Sequence, residues 1–166
     1  MNIKFKTIPM DKEWKDSCHK KGWTKNSTYL DDFTIKFGPN QTVEQYKQLR
    51  DMLLDVAGES TCIYYEEDLH DLLTRGVFLR GYNARMMKGE DCQCHSNSSR
   101  LWENNKKLIS IATGYALSRD GMWRQHSWCV SKKTNKVVET TMKRLLYFGF
   151  IMTDKESQSF ANNNWL

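Results

Sequence analysis

The organisation of this chain is decided by residues 91–102, which read Asp91-Cys92-Gln93-Cys94-His95-Ser96-Asn97-Ser98-Ser99-Arg100-Leu101-Trp102. Two thiols, an imidazole and a capping-type Asn stand directly before a segment with helical character. Residues 97–106 are predicted to form a helix, with Leu101 and Trp102 as its apolar side chains. Cys94 is then expected at the positive pole of that helix, where the pKa of a thiol falls and the nucleophilic thiolate is favoured.

Two later segments contain the partners that a thiol nucleophile needs. They read Trp123-Arg124-Gln125-His126-Ser127-Trp128-Cys129 and Lys136-Val137-Val138-Glu139-Thr140-Thr141. We predict that Cys94 is a nucleophile, that His126 is its general base and that Glu139 orients the imidazole. A strand register centred near 132–133, or shifted from it by two residues, puts His126 and Glu139 on one face, whereas a shift of one separates them. The sequence leaves this register open.

Four further residues of these segments have predicted supporting roles. Asn97 is expected to cap the helical turn or to donate a hydrogen bond to a substrate carbonyl. The side-chain amide of Gln93, with the backbone amide of Cys94, is a candidate for an oxyanion hole. Trp123 and Trp128 are predicted to line the cleft. This chemistry requires no cofactor and no metal.

The rest of the chain predicts an α+β fold in which helices precede antiparallel strands. Residues 42–45, Thr-Val-Glu-Gln, form a capping box. An apolar stripe of a helix follows and ends at Gly58; its members are Val43, Tyr46, Leu49, Leu53 and Val56. Shorter helices are predicted within 11–26 and over 66–75, and short strands over 1–9, 29–37, 61–65 and 77–82.

From residue 107 onward the pattern changes to strands. Segments 108–117, 122–131, 136–141 and 145–152 are predicted to form an antiparallel meander, and 154–162 a closing helix. Ser118-Arg119-Asp120-Gly121 is the hairpin signal between the first two strands. We therefore predict a single domain over 1–166, with a mostly helical part over 1–89 and a catalytic helix plus antiparallel sheet over 90–166.

Composition restricts the classes of partner. The net charge is +5, but Lys and Arg are scattered, so nucleic acid is not favoured as a partner. No run of about 18–20 apolar residues indicates a membrane span, and no apolar leader begins the chain, so a cytoplasmic location is expected. The five cysteines show no framework spacing and are expected to be reduced thiols. Composition leaves the oligomeric state undetermined.

The order of the three candidate residues carries a resemblance. A Cys at the head of a helix, then a strand His, then an acidic residue on the next strand resembles the papain-like and transglutaminase-like cysteine hydrolases. The Cys94-His95-x-Asn97 start is also similar to small bacterial and phage proteins of that superfamily. The resemblance covers 90–153 and departs from the papain-like pattern at Glu139, where those enzymes often have Asn or Asp.

This resemblance implies a papain-like or transglutaminase-like core in which Cys94 is the nucleophile, His126 the base and Glu139 the orienting residue. It also implies a thiol hydrolase or acyl-transfer enzyme that acts on an amide bond of a protein or peptide. Protease, amidase and glutamine deamidase activities share one acyl-thioester step, and the residues do not choose among them.

Three alternatives to a thiol enzyme remain open: a zinc site, a redox pair and a non-enzymatic binding module. Cys92, Cys94, His126 and Cys129 are four ligands of the kind that tetrahedral zinc prefers, although His126 and Cys129 have opposite parity on one strand. Cys92 and Cys94 are also spaced as a redox pair. The aromatic content of 12%, with six Trp, would instead suit a non-enzymatic binding module, such as a phage or bacterial inhibitor of a host factor.

Overall fold

The computed structural model describes residues 7–25, 27 and 39–164. The strand predicted over 29–37, and the first six residues of the one predicted over 1–9, lie outside this part of the chain. The helices are α1 (Lys12–Lys20), α2 (Val43–Val56), α3 (Leu69–Arg75), α4 (Cys94–Glu103) and α5 (Asp154–Asn164). The strands are β1 (Ser60–Thr61), β2 (Val77–Arg80), β3 (Arg85–Met86), β4 (Ile109–Leu117), β5 (Met122–Ser131), β6 (Val137–Glu139) and β7 (Leu146–Ile151).

The fold class is α+β, as predicted, with a mainly antiparallel sheet. Within the described residues, no helix combines the length and the apolar character that crossing a bilayer requires. The chain forms two compact units, Met1–Thr74 with Leu117–Gln125, and Arg75–Ala116 with His126–Leu166. The single domain over 1–166 stays a prediction.

The first unit is built around α2. Its capping box is present, because the Gln45 amide donates to Thr42 Oγ1 (3.3 Å) and the Thr42 amide donates to Gln45 Oε1 (2.9 Å). Three members of the predicted apolar stripe are fully buried: Tyr46, Leu49 and Leu53. Val56, the last helical residue, is exposed, so the buried stripe is shorter than predicted.

Of the strand predicted over 61–65, only Thr61 belongs to a strand, the two-residue β1. The residues of β1 pair in parallel with the start of β5, where Ser60 stands opposite Met122 and Thr61 opposite Trp123. The residues that follow β1 stay out of the ladder, apart from the Cys62 amide, which donates to the Trp123 carbonyl (2.8 Å). A β-prone sequence therefore extends beyond the pairing available to it.

The sheet of the second unit has the strand order β2-β7-β4-β5-β6-β3. Strand β2 pairs antiparallel with β7, β5 pairs antiparallel with β6, and β3 pairs in parallel with β6. The predicted meander is correct for β4, β5 and β6, but β7 lies beside β4, because β3 already occupies the outer side of β6. The described residues of segment 1–89 thus form helices α1, α2 and α3 and also contribute strands β2 and β3 to this sheet.

The core of the second unit covers both faces of β4, and its central cluster lies on one of them. Strand β4 is buried along its whole length. The central cluster consists of small and aromatic side chains: Ala84, Ala112, Ala116, Trp128, Val130, Val137 and Tyr147. Since side chains alternate along a strand, Trp128 and Val130 place His126 on this same face of β5. The imidazole is therefore held by a packed core.

Candidate active site

Helix α4 begins at Cys94 itself, three residues earlier than predicted. Gln93 is the N-cap residue; its side chain makes no capping bond, and its carbonyl accepts the Asn97 amide (2.8 Å). As the first helical residue, Cys94 has a backbone N–H without an acceptor inside the helix. The thiol therefore lies at the positive pole of α4, as the sequence predicts.

The pairing of β5 with β6 brings His126 and Glu139 to one face. Cys129 stands opposite Val138 and Val130 opposite Val137. This register puts Glu139 opposite Trp128, two residues from His126, which is the predicted alternative shifted by two. The imidazole Nε2 lies 2.9 Å from Glu139 Oε2, and both side chains are buried.

The Glu139 carboxylate is saturated with donors. Its Oε1 accepts the backbone amides of Thr140 and Thr141 (2.8 Å each) and the Thr141 hydroxyl (3.0 Å). Its Oε2 accepts His126 Nε2 and the Tyr147 hydroxyl (2.7 Å). Burial raises the pKa of the carboxyl, but the bond to His126 and these other donors outweigh burial and lower the pKa to about 2. The carboxylate is thus a fixed negative charge beside the imidazole.

Tyr147 is a site residue that the sequence reasoning missed. It lies on β7 within an apolar run, and it donates to the same Glu139 oxygen as His126 does. The rings of Trp128 and Tyr147 also flank the imidazole, at centroid distances of 6.1 and 6.2 Å. The available signal was a Tyr within an apolar, β-prone run, because such a Tyr is expected to be buried and a buried phenol normally finds a hydrogen-bond partner.

Cys94 and His126 shift each other's pKa in opposite directions. Burial raises the pKa of the Cys94 thiol, but the hydrogen bond and charge of His126, together with the backbone amides of Ser127 and His95, bring it below its ordinary value. Burial lowers the pKa of His126, but its bonds to Cys94 and Glu139 raise it above its ordinary value. Since His126 Nε2 bonds to Glu139, Nδ1 is the ring nitrogen that remains to interact with Cys94. These shifts favour a thiolate–imidazolium pair.

Asn97 does not have either predicted role. It is buried, its Oδ1 accepts the Glu90 amide (3.1 Å), and its Nδ2 donates to the Glu90 carbonyl (2.7 Å). A Cβ on Gly89 would lie 2.5 Å from Asn97 Oδ1, so glycine is needed where the loop crosses this amide. The prediction was wrong because the hydrogen-bonding groups of this buried side-chain amide are paired with the Glu90 backbone instead of a helix end or a substrate. Asn97 instead fixes the loop that leads to Cys94.

The two predicted cleft tryptophans do not line a cleft. Trp123 is fully buried in the first unit, and its indole N–H donates to the Ala57 carbonyl (2.8 Å). Trp128 is fully buried in the core of the second unit. Neither side chain offers a surface to a substrate. Gln93 is exposed beside the Cys94 amide, and its oxyanion role stays a prediction.

The four alternative zinc ligands are not brought together. Cys129 is buried, its thiol donates to the Ser98 carbonyl (3.5 Å), and burial raises its pKa to about 12. Cys92 is exposed, and His126 is committed to Cys94 and Glu139. Among the described residues, which include all four, no three His, Cys, Asp or Glu side chains form a group that could hold a metal ion.

Replacement of Tyr147 by Phe is expected to lower the free energy of unfolding by about 1–2 kcal/mol, because one hydrogen bond to the buried Glu139 is lost. Alkylation of Cys94 at pH 6 is expected to slow only a few-fold, since four donors to the carboxylate remain. Urea denaturation and timed alkylation measure the two effects. Tyr82→Phe is the control, because Tyr82 is 74% exposed; equal effects of the two substitutions would contradict the assigned role.

The described geometry combines a thiol of lowered pKa, an imidazole of raised pKa and a buried carboxylate that holds the imidazole. Such a set performs nucleophilic attack by sulfur and proton transfer by the imidazole. All three side chains belong to the second unit. Comparison of the chain with protein-family models, with curated proteins and with solved structures found no match.

Proposed function

We propose that this protein is a thiol-dependent hydrolase or acyl-transfer enzyme that acts on an amide bond of a protein or peptide, through Cys94, His126 and Glu139. Protease, amidase and glutamine deamidase activities are all forms of this proposal. Its core would correspond to that of the papain-like or transglutaminase-like enzymes. The observation that carries the proposal is the buried pair of His126 and Glu139, whose Nε2 and Oε2 lie 2.9 Å apart, beside a Cys94 thiol whose pKa the His126 imidazole lowers.

A purely structural role accounts poorly for this arrangement. A buried imidazole–carboxylate pair loses hydration and gives a fold no clear advantage over apolar packing. When a thiol only fills space in the core, burial raises its pKa, and Cys129 is an example of this. Cys94 differs from Cys129 because its pKa is lowered by the imidazole, and it remains partly accessible at a helix N-terminus. Accessibility together with thiolate character is what a nucleophile needs.

The reaction then follows from the charges. The Cys94 thiolate attacks the carbonyl carbon, a carbon–sulfur bond forms, and the carbonyl electron pair moves to oxygen. The oxygen pair returns as the carbon–nitrogen bond breaks, and the His126 imidazolium gives its proton to the leaving amine. Water or another amine, deprotonated by His126, attacks the thioester and releases Cys94. Glu139 stabilises the imidazolium in each step without accepting its proton, since its pKa is about 2.

The activated thiol is tested by brief treatment with dilute iodoacetamide at pH 6, followed by peptide mapping. Wild-type protein is expected to be alkylated at Cys94 much faster than at Cys92, which is exposed and provides the internal reference. An ordinary thiol with a pKa of about 8.5 is less than about 1% thiolate at pH 6. His126→Ala is expected to remove the advantage of Cys94 and to leave the Cys92 rate unchanged.

Two outcomes would count against the proposal. Equal rates at Cys92 and Cys94 in the wild-type protein would mean that the thiol is not activated. Fast alkylation of Cys94 that survives His126→Ala would mean that the helix alone lowers the pKa and that the imidazole is not its partner. Circular dichroism of both proteins guards against loss of folding as the cause of any difference.

A further inference from the structure

A second histidine stands beside the nucleophile and has no place in the triad. His95 follows Cys94 on the first turn of α4, and its backbone amide helps to lower the pKa of the Cys94 thiol. Its Nδ1 lies 2.7 Å from Ser127 Oγ, and this hydroxyl lies 3.0 Å from Thr113 Oγ1 in the interior of the sheet. The Ser127 backbone amide also helps to lower the pKa of the Cys94 thiol. His95 and Ser127 thus contact each other and both act on the charge state of Cys94.

The His95 ring is fixed in orientation and partly open to solvent. Phe160 of α5 packs against it at a centroid distance of 5.6 Å and an interplanar angle of 64°. The side chain of a helical residue points back toward the helix N-terminus, which is where Cys94 reacts. No described residue bonds to Nε2. One nitrogen of the ring is therefore anchored, and the other remains available on the residue that directly follows Cys94.

The pKa values of the two imidazoles are shifted in opposite directions. Desolvation lowers the pKa of His95, and the positive charge of His126 lowers it further. The bonds of His126 to Cys94 and Glu139 raise its pKa, so His126 is the ring that holds a proton more readily. A neutral ring next to an imidazolium suits a hydrogen-bond donor that must not take up the proton being transferred.

We infer, on the basis of the function proposed above, that His95 is a further catalytic residue, whose Nε2–H donates a hydrogen bond to the carbonyl oxygen of the substrate as Cys94 attacks the carbonyl carbon. The contacts of Nδ1 with Ser127 Oγ and of Ser127 Oγ with Thr113 Oγ1 are compatible with this role. In the proposed arrangement Thr113 donates to Ser127 and Ser127 donates to Nδ1, which places the proton of the neutral ring on Nε2. Together with the Cys94 backbone amide, Nε2–H makes an oxyanion hole of two donors.

The test compares two electrophiles, one of which reacts through an oxyanion and one of which does not. Attack on p-nitrophenyl acetate transfers an acetyl group to sulfur through an oxyanion, whereas iodoacetamide is displaced at carbon without one. Asn places its amide nitrogen near the position of Nδ1, and Gln places it near that of Nε2, so His95→Asn and His95→Gln form a matched pair. His95→Asn is expected to slow acetylation of Cys94 about 10²-fold. Its alkylation by iodoacetamide is expected to stay within about twofold of wild type.

His95→Gln is expected to recover most of the acetylation rate, because its amide can donate from the position of Nε2. Equal acetylation rates for His95→Asn and wild type would overturn the inference while leaving the triad intact. Equal losses for the Asn and Gln variants would also overturn it, since the donor position would then not matter. A wild-type protein that alkylates slowly and acetylates at no particular Cys would instead remove the proposed function itself.

Nitrogen-15 NMR of the imidazole rings gives a readout that needs no reaction. At pH 7, His95 is expected to be neutral with its proton on Nε2, and His126 is expected to be protonated on both nitrogens. Ser127→Ala is expected to change the tautomer balance of His95 and to leave the bond between His126 and Glu139 in place. A proton on Nδ1 of His95 in the wild-type protein would overturn the inference.

Discussion

Glu139→Ala is expected to lower the free energy of unfolding by about 3–5 kcal/mol, the largest effect on stability that we expect from one substitution at this site. The variant leaves the buried His126 without its counter-charge. It also leaves the buried hydroxyls of Thr141 and Tyr147 and two backbone amides without an acceptor. Each buried group that loses its partner has a desolvation cost that the folded state no longer offsets.

Glu156→Ala is the matched control for this loss. The carboxyl of Glu156 also has its pKa lowered to about 2, through the Arg75 guanidinium and the Thr153 amide and hydroxyl. However, its side chain is 38% exposed and that of Arg75 is 35% exposed, so water screens the pair. Its removal is expected to cost no more than about 1 kcal/mol. Urea denaturation at pH 7 measures both variants, and similar losses would contradict the view that burial decides the difference.

The contribution of Glu139 also depends on pH in a defined direction. Its folded-state pKa of about 2 lies below the ordinary value of 4.5, so the folded state binds the proton less readily than the unfolded chain does. The stabilisation is therefore fully present above about pH 4.5 and is lost as the pH falls toward about 2. The stability difference between wild type and Glu139→Ala is expected to shrink over the same range.

The parts of the fold that the sequence predicted depend on local patterns. The capping box of α2, the turn at 118–121 and the extent of β5 are each specified by neighbouring residues. The position of β7 beside β4 depends on which strand occupies the outer side of β6. That strand is β3, and its two residues are too few to form a sequence pattern that predicts its pairing with β6. Long-range pairing of short strands is set by tertiary context.

The candidate site also has parts that the sequence predicted and parts that only the structure revealed. The order Cys94, His126, Glu139 suggested roles, and the parity of β5 and β6 allowed the contact between His126 and Glu139, but the register came only from the structure. Asn97 was misassigned because the sequence does not show whether an Asn side chain is exposed or is buried against the backbone of a loop, as Asn97 is against Glu90. Tyr147 and Ser127 were missed because their partners are 8 and 32 residues away along the chain.

The other large expected effect is on the pH dependence of Cys94 alkylation in Glu139→Gln. A neutral amide cannot stabilise the His126 imidazolium, so the pKa of His126 is expected to fall. The Cys94 thiolate then loses part of its charge partner, and its pKa is expected to rise. The alkylation rate is expected to reach its plateau at a higher pH than in wild type. At pH 6 the variant is expected to react about tenfold more slowly for each unit of displacement.

Glu139→Asp separates charge from hydrogen bonding in this experiment. It keeps the negative charge beside His126, so its alkylation profile is expected to lie closer to that of wild type than the Gln profile does. The profile is measured from pH 4.5 to 9 on protein shown to be folded by circular dichroism. Coincident profiles for Gln and wild type would mean that Glu139 only orients the ring. A displaced Gln profile beside a nearly unchanged Asp profile would show that the buried charge itself maintains the thiolate at acidic pH, and would explain why a carboxylate saturated with donors stands at this position.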